Sequence, residues 1–383
     1  MRSVGLDLGK KEVSYCEIRD GKVIARRTVS VLSELDDVLG PATEPARIAI
    51  EACREAWHIH DALTRRGHEV LVIDTTRVKQ IGVGHHGRKR DCIDAEVIAR
   101  AVERNLVPLA HVLSPHRRSL REKLNLRRAL VESRASFVTM ARGVVRGRGE
   151  KLGGCDTDDF RRKVELAALS EETRAALAPI VAVLQAIDGQ LSALEREIEL
   201  LAAQEPSIAK MTSTPGVDLV VASVFVSVID DAKRFSDAHK VQSYLGLVPR
   251  EDTSGGRDKQ KLGSITKCGN SYARATLVQA AWCLLRGRGS DPLRVWARRI
   301  EKRRGKRIAV VALARRLAGV LWAMWRDDMY YDPARLAEAS TRGLGSEAVR
   351  AELAADAMRA IAMKAARRKR RIDARAAAKE TTA

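Results

Sequence analysis

The sequence predicts an α/β domain at the N-terminus, then a helical coiled-coil arm, and finally a mainly α C-terminal domain. Short apolar runs alternate with helix-like segments in the N-terminal part, and two long helical patterns follow them. Alanine, leucine, valine and arginine are abundant and only 4% of the residues are aromatic, a composition that favours helix. With 383 residues, 45% of them hydrophobic, the chain can form two or three domains with cores of their own.

The N-terminal part opens with three predicted strands. Val4–Leu8 and Val13–Arg19 flank Gly9-Lys10-Lys11, a pattern typical of a hairpin, and Lys22–Val31 continues it. The later elements alternate between helix and strand: a helix at Leu32–Leu39, a strand at Ala46–Glu51, a helix at Arg54–Arg66, a strand at Glu69–Asp74 and, after a glycine-rich basic loop at 82–90, a helix from about Asp91 to Asn105. Three early strands followed by this alternation indicate an RNase H-like domain.

Two helical segments then predict the arm. The first, His116–Arg148, carries ten basic side chains. The second contains a heptad seam formed by Ile180, Leu184, Ile187, Leu191, Leu194, Ile198 and Leu201, which Pro179 opens and Pro206 closes. The pattern allows two arrangements: the segments pair with each other as an antiparallel arm, or the second pairs between subunits.

A further domain begins at Pro215. It contains the apolar run Val217–Ile229, a polar loop at Arg250–Asn270 and long helices at Ser271–Arg286 and Ile308–Trp325. The last residues form a basic tail rich in alanine and arginine. These patterns divide the chain into segments 1–112, 113–206, 207–335 and 336–383.

The net charge indicates a polyanionic partner. It is +20 in total, but residues 1–75 carry −2 and residues 76–383 carry +22. A charge this one-sided favours nucleic acid, because each neutralised phosphate releases counterions. The alternative is a general solubility charge.

Other features exclude several classes of protein. The six cysteines form no C-x-x-C pair, which argues against a zinc site or disulfide framework and predicts small buried side chains. The longest apolar run, Ile308–Trp325, is interrupted by Arg315 and Arg316, so we expect no membrane span. We expect a cytoplasmic protein, because the N-terminus predicts a strand and not a signal sequence.

Four carboxylates form a candidate metal site. Asp7 lies in the apolar run of the first strand, which we expect to be central, in the pattern Gly5-Leu6-Asp7, and Glu51 ends a buried strand. Asp91 and Asp94 are three residues apart and therefore share a helix face. Four oxygen ligands suit one or two Mg²⁺ ions, which can clamp both oxygens of a phosphoryl transfer. Taken singly, each acid could instead be a structural ion pair or a helix cap.

The chain resembles a known family through motifs at both ends. The N-terminal ones are Gly5-Leu6-Asp7, Ile50-Glu51 and Lys89-x-Asp91-x-x-Asp94-Ala95. The C-terminal ones are Thr214-Pro215-Gly216-Val217, Arg234-Phe235, Tyr244–Pro249, Ser254-Gly255-Gly256, Ile265–Asn270 with Arg274, and Ala314–Trp322. Over roughly residues 1–335 the sequence is similar to the DEDD-type transposases of bacterial insertion sequences, the bridge-RNA-guided recombinases.

The resemblance implies a RuvC-like N-terminal domain, a coiled-coil arm and a transposase domain with a nucleophilic serine. Members often show two serines before the glycine pair; here Thr253-Ser254 stands there, so Ser254 is the matching residue. The resemblance also implies bound Mg²⁺, a transient phosphoserine link to DNA, and a noncoding guide RNA that pairs with donor and target DNA. On spacing alone, Ser254 would be an ordinary turn serine.

Several polar residues around Ser254 are candidate nucleic-acid contacts: Arg257, Lys259, Lys261, Lys267, Asn270 and Arg274. Two tyrosines are rival nucleophiles. Tyr244 precedes an apolar run, which predicts a core position, and Tyr272 starts a helix and could contact DNA.

The sequence therefore predicts a transposase that cuts and rejoins DNA. One alternative is a structure-specific, junction-resolving nuclease that uses the carboxylates and water, with Ser254 inert. Another is a non-catalytic nucleic-acid-binding protein. The heptad seam makes a homodimer or homotetramer plausible, and the serine could meet the acids of its own subunit or of another.

Overall fold

A computed structural model of the chain describes residues 1–9, 12–29, 32–39, 44–75, 77, 91–252 and 261–336. The chain divides into two compact units, Met1–Leu113 and Ser114 to the C-terminus. The first unit mixes strands and helices, and the second is mostly helical. This confirms the coarse fold class that the sequence predicts.

The first unit is built on a five-stranded sheet in the order β3-β2-β1-β4-β5. The strands are β1 Arg2–Leu8, β2 Val13–Arg19, β3 Lys22–Val29, β4 Ala46–Glu51 and β5 Glu69–Ile73. β1 is antiparallel to β2 and parallel to β4, and it lies in the middle of the sheet, as predicted for the strand that carries Asp7.

Helices lie on both faces of this sheet. They are α1 Leu32–Leu39, α2 Ala56–Arg65 and α3 Asp91–Glu103. Val4 and Leu6 of β1 belong to the same apolar cluster as residues of α1 and α2. Residues of the opposite face, such as Cys16 of β2, cluster with Ala95 and Ala99 of α3. Because side chains alternate along a strand, this division assigns each β1 residue to a face. The basic loop at 82–90 falls outside the described residues.

The second unit contains helices α4–α12 and a short hairpin. The helices are α4 Pro115–Gly147, α5 Phe160–Leu166, α6 Glu171–Ala203, α7 Pro206–Met211, α8 Leu219–Ile229, α9 Ala238–Tyr244, α10 Ser271–Arg286, α11 Pro292–Arg304 and α12 Lys306–Arg326. Its main core surrounds α12, where Leu313, Leu317 and Leu321 are fully buried. The basic tail, from residue 337 onward, lies outside the described residues.

The two long helices α4 and α6 pair within the chain and run antiparallel. Lys123 of α4 meets Glu197 of α6 at 2.6 Å, whereas Arg134, further along α4, meets Asp188, earlier on α6, at 3.3 Å. Five residues of the predicted seam are buried between the helices, namely Leu184, Ile187, Leu191, Leu194 and Ile198. This pairing is the first of the two arrangements that the sequence allowed.

The predicted start of the second arm helix is wrong. α6 begins at Glu171, and Pro179 lies inside the helix. The helix starts earlier because the Ser170 side chain accepts a hydrogen bond from the backbone N–H of Thr173, and acidic residues occupy the first turn. Both features stabilise a helix N-terminus.

The polar loop predicted at Arg250–Asn270 is in part a hairpin. β6 Pro249–Asp252 pairs antiparallel with β7 Lys261–Ile265. These strands were missed because they are short and largely polar, without the apolar alternation that indicates a half-buried strand. The hairpin tip, residues 253–260, lies outside the described residues.

By length and composition alone, α6 and α12 could each cross a membrane, but a helix in the core of a folded unit passes the same test, and α12 is mostly buried within its own unit. The expectation that the cysteines are small buried side chains needs correction. Cys16 is buried as expected, but Cys53, Cys268 and Cys283 are exposed. Cys53 and Cys268 lie in connecting segments and Cys283 lies on an outward face of α10, where packing does not cover them.

Candidate active site

Asp7 and Glu51 lie side by side at one edge of the sheet. The parallel pairing of β1 with β4 matches Gly5 with Ala49 and Leu6 with Ile50, so the next pair along is Asp7 and Glu51. Adjacent strands are about 4.8 Å apart, and paired residues point to the same face. Both side chains are partly buried. Two of the predicted acids thus occupy neighbouring positions at the carboxyl ends of two adjacent strands.

Helix α3 covers the face on which Asp7 lies. The contact is closest at Gly5, where a Cβ atom would collide with the backbone carbonyl of Ala95 and lie 2.5 Å from the amide nitrogen of Ala99. Gly5 and Asp7 are two residues apart on one strand and so share a face. A glycine at position 5 therefore allows the helix to lie directly on the strand beside the acids.

The direction of α3 puts its first turn at the same edge. The backbone N–H of Gly21 donates to Glu103 Oε1 at 2.7 Å, so the end of α3 lies at the turn between β2 and β3. That turn is at the opposite end of β1 from Asp7, because Ser3 pairs with Ile18. α3 therefore starts near the carboxyl ends of β1 and β4.

Asp91 and Asp94 stand in this first turn of α3. Asp91 precedes Ala95 by one helical turn, a distance of about 6 Å along the helix axis. Asp7 lies about the same distance beyond Gly5 along β1. Because Ala95 contacts Gly5, Asp91 therefore lies at about the level of Asp7. Asp94 is 5% exposed, and burial of a carboxylate is costly without a partner. The side chain of Asp91 lies outside the described part of the structure. All four predicted acids thus belong to elements that converge on one corner of the unit.

This corner does not form a complete metal site from the described side chains. Among those side chains, no three or more histidine, cysteine, aspartate or glutamate residues are gathered as a metal ion would require. The chemistry of the donor set does fit a hard divalent cation, because carboxylate oxygens are its preferred protein ligands. The four-carboxylate metal site stays a prediction.

Another buried acid of the same sheet has a structural role. Glu17 receives hydrogen bonds from Arg2 at 3.0 Å, from the Tyr15 hydroxyl at 2.5 Å and from Arg19 at 2.8 Å. Burial by itself raises the pKa of Glu17, but these hydrogen bonds outweigh it and hold the pKa at about 2. Glu17 is thus charged in the folded protein at neutral pH and serves the fold, not a metal site.

The candidate nucleophile Ser254 and two candidate cations, Arg257 and Lys259, lie between β6 and β7 in the sequence, outside the described residues. The base of the β6–β7 hairpin is closely fitted. The backbone N–H of Thr266 donates to the carbonyl of Val248 at 2.9 Å, and that of Lys267 donates to the carbonyl of Gly246 at 3.1 Å.

Two glycines make the close fit at the hairpin base possible. Gly246 and Gly269 have φ angles of +68° and +88°, a region that glycine adopts readily. A Cβ on Gly246 would collide with the carbonyl of Cys268, and one on Gly269 with the carbonyl of Tyr244. The sequence motifs contain both glycines, but their mutual contact was not predicted.

The other predicted nucleic-acid contacts differ in what they touch. The Asn270 side chain accepts from the Ala273 N–H at 2.9 Å and so caps α10. Arg274 donates to the carbonyls of Leu245, Cys268 and Gly269 at 3.0–3.2 Å, which ties the loop to the helix. Lys267 is exposed, and the side chain of Lys261 is outside the described part. Their binding of nucleic acid stays a prediction.

The rival tyrosines also have defined surroundings. The core position expected for Tyr244 is wrong, because the residue is 39% exposed. Tyr244 is the last residue of the short helix α9, and its ring packs edge-on against Phe235 and lies beneath the Arg234 guanidinium. Tyr272 is partly buried under Arg128, and burial raises the pKa of its hydroxyl, which makes it a poorer nucleophile.

Comparison with known families matches both parts of the chain. The model of DEDD transposases of the IS110 type matches residues 4–147, which include the four acids. The model described as the IS116/IS110/IS902 transposase family matches residues 209–293, which include the hairpin.

Relatives of this kind are similar along most of the chain. A Pseudomonas aeruginosa protein described as "probable family 20 transposase" is 28% identical over 342 residues, covering 86% of this chain and 98% of that protein. The transposase for insertion sequence element IS1111A of Coxiella burnetii is 26% identical and covers 85% of this chain and 89% of its own length. The transposase for IS1328 of Yersinia enterocolitica is 26% identical, with 84% and 96% covered.

The two matched regions and the full-length relatives point to the same activity. A DEDD transposase domain also suggests dependence on a divalent metal ion. The chain belongs to the IS110/IS116 family of DEDD transposases and is a DNA transposase.

Proposed function

We propose that this transposase cuts and rejoins DNA with Mg²⁺ held by Asp7, Glu51, Asp91 and Asp94 and with Ser254 as the nucleophile. The observation that carries the proposal is the parallel register of β1 and β4, which, continued by one step, puts Asp7 opposite Glu51 at the end of the sheet where α3 begins. The sheet order β3-β2-β1-β4-β5, with only β2 antiparallel to its two neighbours, supports an RNase H-like, RuvC-like domain.

The carboxylates would hold one or two ions and keep them in fixed positions. When bound, Mg²⁺ supplies positive charge that stabilises the developing charge of a phosphoryl transfer. The backbone contact at Gly5 limits how closely α3 can approach β1, which would set the distance of Asp91 and Asp94 from Asp7. Preorganised ligands of this kind cost little reorganisation during the reaction.

Ser254 would form the covalent link to DNA. Its Oγ would attack phosphorus and lose its proton, the bond to the 3′ oxygen would break, and the 3′ hydroxyl would leave. The phosphodiester energy would be conserved in the phosphoserine, so the reverse step would rejoin DNA without ATP. In the sequence Gly255 and Gly256 follow Ser254, and residues without a side chain let a phosphate approach closely.

The partners in this proposal are donor and target DNA and a noncoding guide RNA. The charge of +22 over residues 76–383 supports binding of more than one polyanion. Sequencing of the RNA that copurifies with the protein tests the guide: one discrete species is expected, and a random mixture of cellular fragments would contradict it.

The first experiment is a search for a covalent protein–DNA adduct. The full chain, the RNA of its own element and end-labelled DNA are mixed with Mg²⁺ and separated on a denaturing gel. We expect an adduct with the native protein and none with Asp7→Asn or Ser254→Ala. The matched controls are Asp20→Asn and Ser264→Ala, which change exposed residues outside the site and keep the adduct.

The alternatives predict different gels. A nuclease that uses water would release cleaved DNA without an adduct, and Ser254→Ala would not change it. A non-catalytic binding protein would leave the DNA intact with or without Mg²⁺. Either gel would overturn the serine mechanism.

The oligomer is proposed as a homodimer or homotetramer in which the serine of one subunit reaches acids of another. A mixture of Asp7→Ala and Ser254→Ala proteins tests this arrangement. Recovery of the adduct in the mixture supports assembly between subunits, and failure to recover it supports assembly within one subunit.

A further inference from the structure

A dense group of cations lies where α11 ends and α12 begins. Five of the six residues Lys302–Arg307 are basic, with Gly305 between the helices. All six are exposed. Within the part of the chain that the structure describes, none of the five forms an ion pair with a carboxylate. We call this segment the basic junction.

The position of two of these cations is unfavourable for the fold itself. Lys302, Arg303 and Arg304 stand in the last turn of α11, where the helix dipole favours positive charge. Lys306 and Arg307 stand in the first turn of α12, where the same dipole disfavours it, and no acidic residue is there to compensate. Stability of the helix does not explain these two residues, whereas an external anion would.

A neighbouring aromatic ring extends the same positive surface. The guanidinium of Arg286 lies 4.9 Å and the ammonium of Lys306 lies 5.6 Å from the centre of the Trp282 ring. The ring therefore holds two cations in place, and its face is not open for a nucleic-acid base to stack on. Proteins that bind single strands present open aromatic faces on which bases stack. A surface of fixed cations without such a face fits a continuous phosphate backbone better.

We propose that the basic junction, together with Arg286, binds the phosphate backbone of duplex DNA. This surface involves neither the four acids nor the β6–β7 hairpin, and it goes beyond the cutting and rejoining proposed above. Contacts of this kind position a protein on DNA without reading its sequence. The cations of the junction would therefore hold DNA segments of any sequence against this side of the second unit.

The test measures duplex binding by the full chain in EDTA, where the metal-dependent chemistry is not engaged. The junction variant is Arg303→Gln/Lys306→Gln/Arg307→Gln. The matched control is Arg146→Gln/Arg148→Gln/Lys151→Gln, which removes the same charge from exposed residues at the far end of the arm. Both are titrated with fluorescent duplex DNA of two unrelated sequences at several salt concentrations.

We expect the junction variant to bind both duplexes about tenfold more weakly or worse, with the salt slope of log K reduced by roughly 0.9 for each lost phosphate contact. The control keeps a slope close to that of the native protein. Equal losses in both variants would show a general charge effect and overturn the proposal, as would unchanged binding. A loss confined to single-stranded DNA or to duplex RNA of the same sequence would overturn it too.

A conservative variant and a melting curve separate binding from folding. Lys306→Arg/Arg307→Lys keeps the charge and should keep duplex affinity within about twofold, because phosphate contacts depend chiefly on charge. The neutral variant should melt close to the native protein, since losing a favourable cation from the end of α11 opposes the removal of two unfavourable cations from the start of α12. A lower melting temperature together with lost binding in the charge-preserving variant would make these residues structural and refute the surface.

Discussion

The arm helix α4 and the basic junction are both rich in cations, but the structure uses them differently. On α4, Lys123 and Arg127 each meet a glutamate of α6, at 2.6 Å and 2.7 Å. In the basic junction, none of the five cations meets a described carboxylate. The density of basic residues in the sequence is therefore a poor guide to the nucleic-acid surface, and their pairing in the fold is a better one.

The largest expected loss of stability follows from replacing Arg117, a buried cation at the base of the arm that forms ion pairs within the fold. Arg117 is 7% exposed, its Nη1 lies 2.6 Å from Glu205 Oε1, and its Nε lies 3.7 Å from Asp230 Oδ1. The contact with Glu205 is an ion pair without hydrogen-bond alignment. Arg117→Met should lower the free energy of unfolding by about 3–5 kcal/mol, because it removes a buried cation from beside the carboxylates of Glu205 and Asp230.

Urea unfolding followed by tryptophan fluorescence measures this effect, since four of the five tryptophans belong to the second unit. The control is Arg148→Met at the exposed end of α4, which should cost less than about 0.5 kcal/mol. Equal costs for the two substitutions would break the distinction between cations that the fold uses and cations that it leaves exposed.

The second largest expected effect is the dependence of stability on pH that arises from Glu17, a buried acid of the first unit. Because the pKa of Glu17 is held at about 2, below its ordinary value of 4.5, its contribution to stability is complete above pH 4.5 and is lost as the pH falls towards 2. The loss should amount to about 3 kcal/mol, because a pKa difference of one between the folded and unfolded chains corresponds to about 1.4 kcal/mol.

Hydrogen exchange of the β1 and β2 amides, compared between the native protein and Glu17→Gln, isolates this contribution from other carboxylates. The two proteins should differ most near pH 5 and converge as the pH approaches 2. A difference that stays constant over this range would show that Glu17 is not charged in the fold, contrary to its contacts with Arg2 and Arg19.

The smallest effect concerns the half-exposed pairs along the arm. A double-mutant cycle on Lys123 and Glu197 should give a coupling of about 0.2–1 kcal/mol that weakens in 1 M salt. A control cycle on Lys123 and the exposed Glu199 should give a smaller value. A coupling far above 1 kcal/mol would mean that these pairs hold the arm together, a role that we assign to the buried apolar seam.

Much of the first unit could be predicted from the sequence, because its strands are apolar runs with clear ends. β4 begins and ends where predicted, and Asp7 lies on the central strand as expected. The pairing of Asp7 with Glu51 could not be predicted in the same way. It depends on the register between strands that are more than thirty residues apart in the chain, which the local pattern does not encode.

In the second unit, the roles of polar residues were harder to predict where their side chains form hydrogen bonds with the backbone. Asn270 and Arg274 have the residue types of nucleic-acid contacts, yet the structure uses them to cap a helix and to hold carbonyl groups. Pro179 does not mark the start of α6, because Ser170 caps the helix earlier in the chain and proline is tolerated inside it.

The backbone contact at Gly5 has a consequence for how the acid corner can vary. At Gly5 the helix and strand backbones are in direct contact, so no side chain between them can repack to change the distance between helix and sheet. Only the reach of each acid can then change: aspartate at positions 7, 91 and 94 is one methylene shorter than glutamate at position 51. Because α3 already lies against β1 at Gly5, it cannot move closer to the strand, so any change in the spacing between Asp7 and the acids of α3 has to come from the length of the side chains.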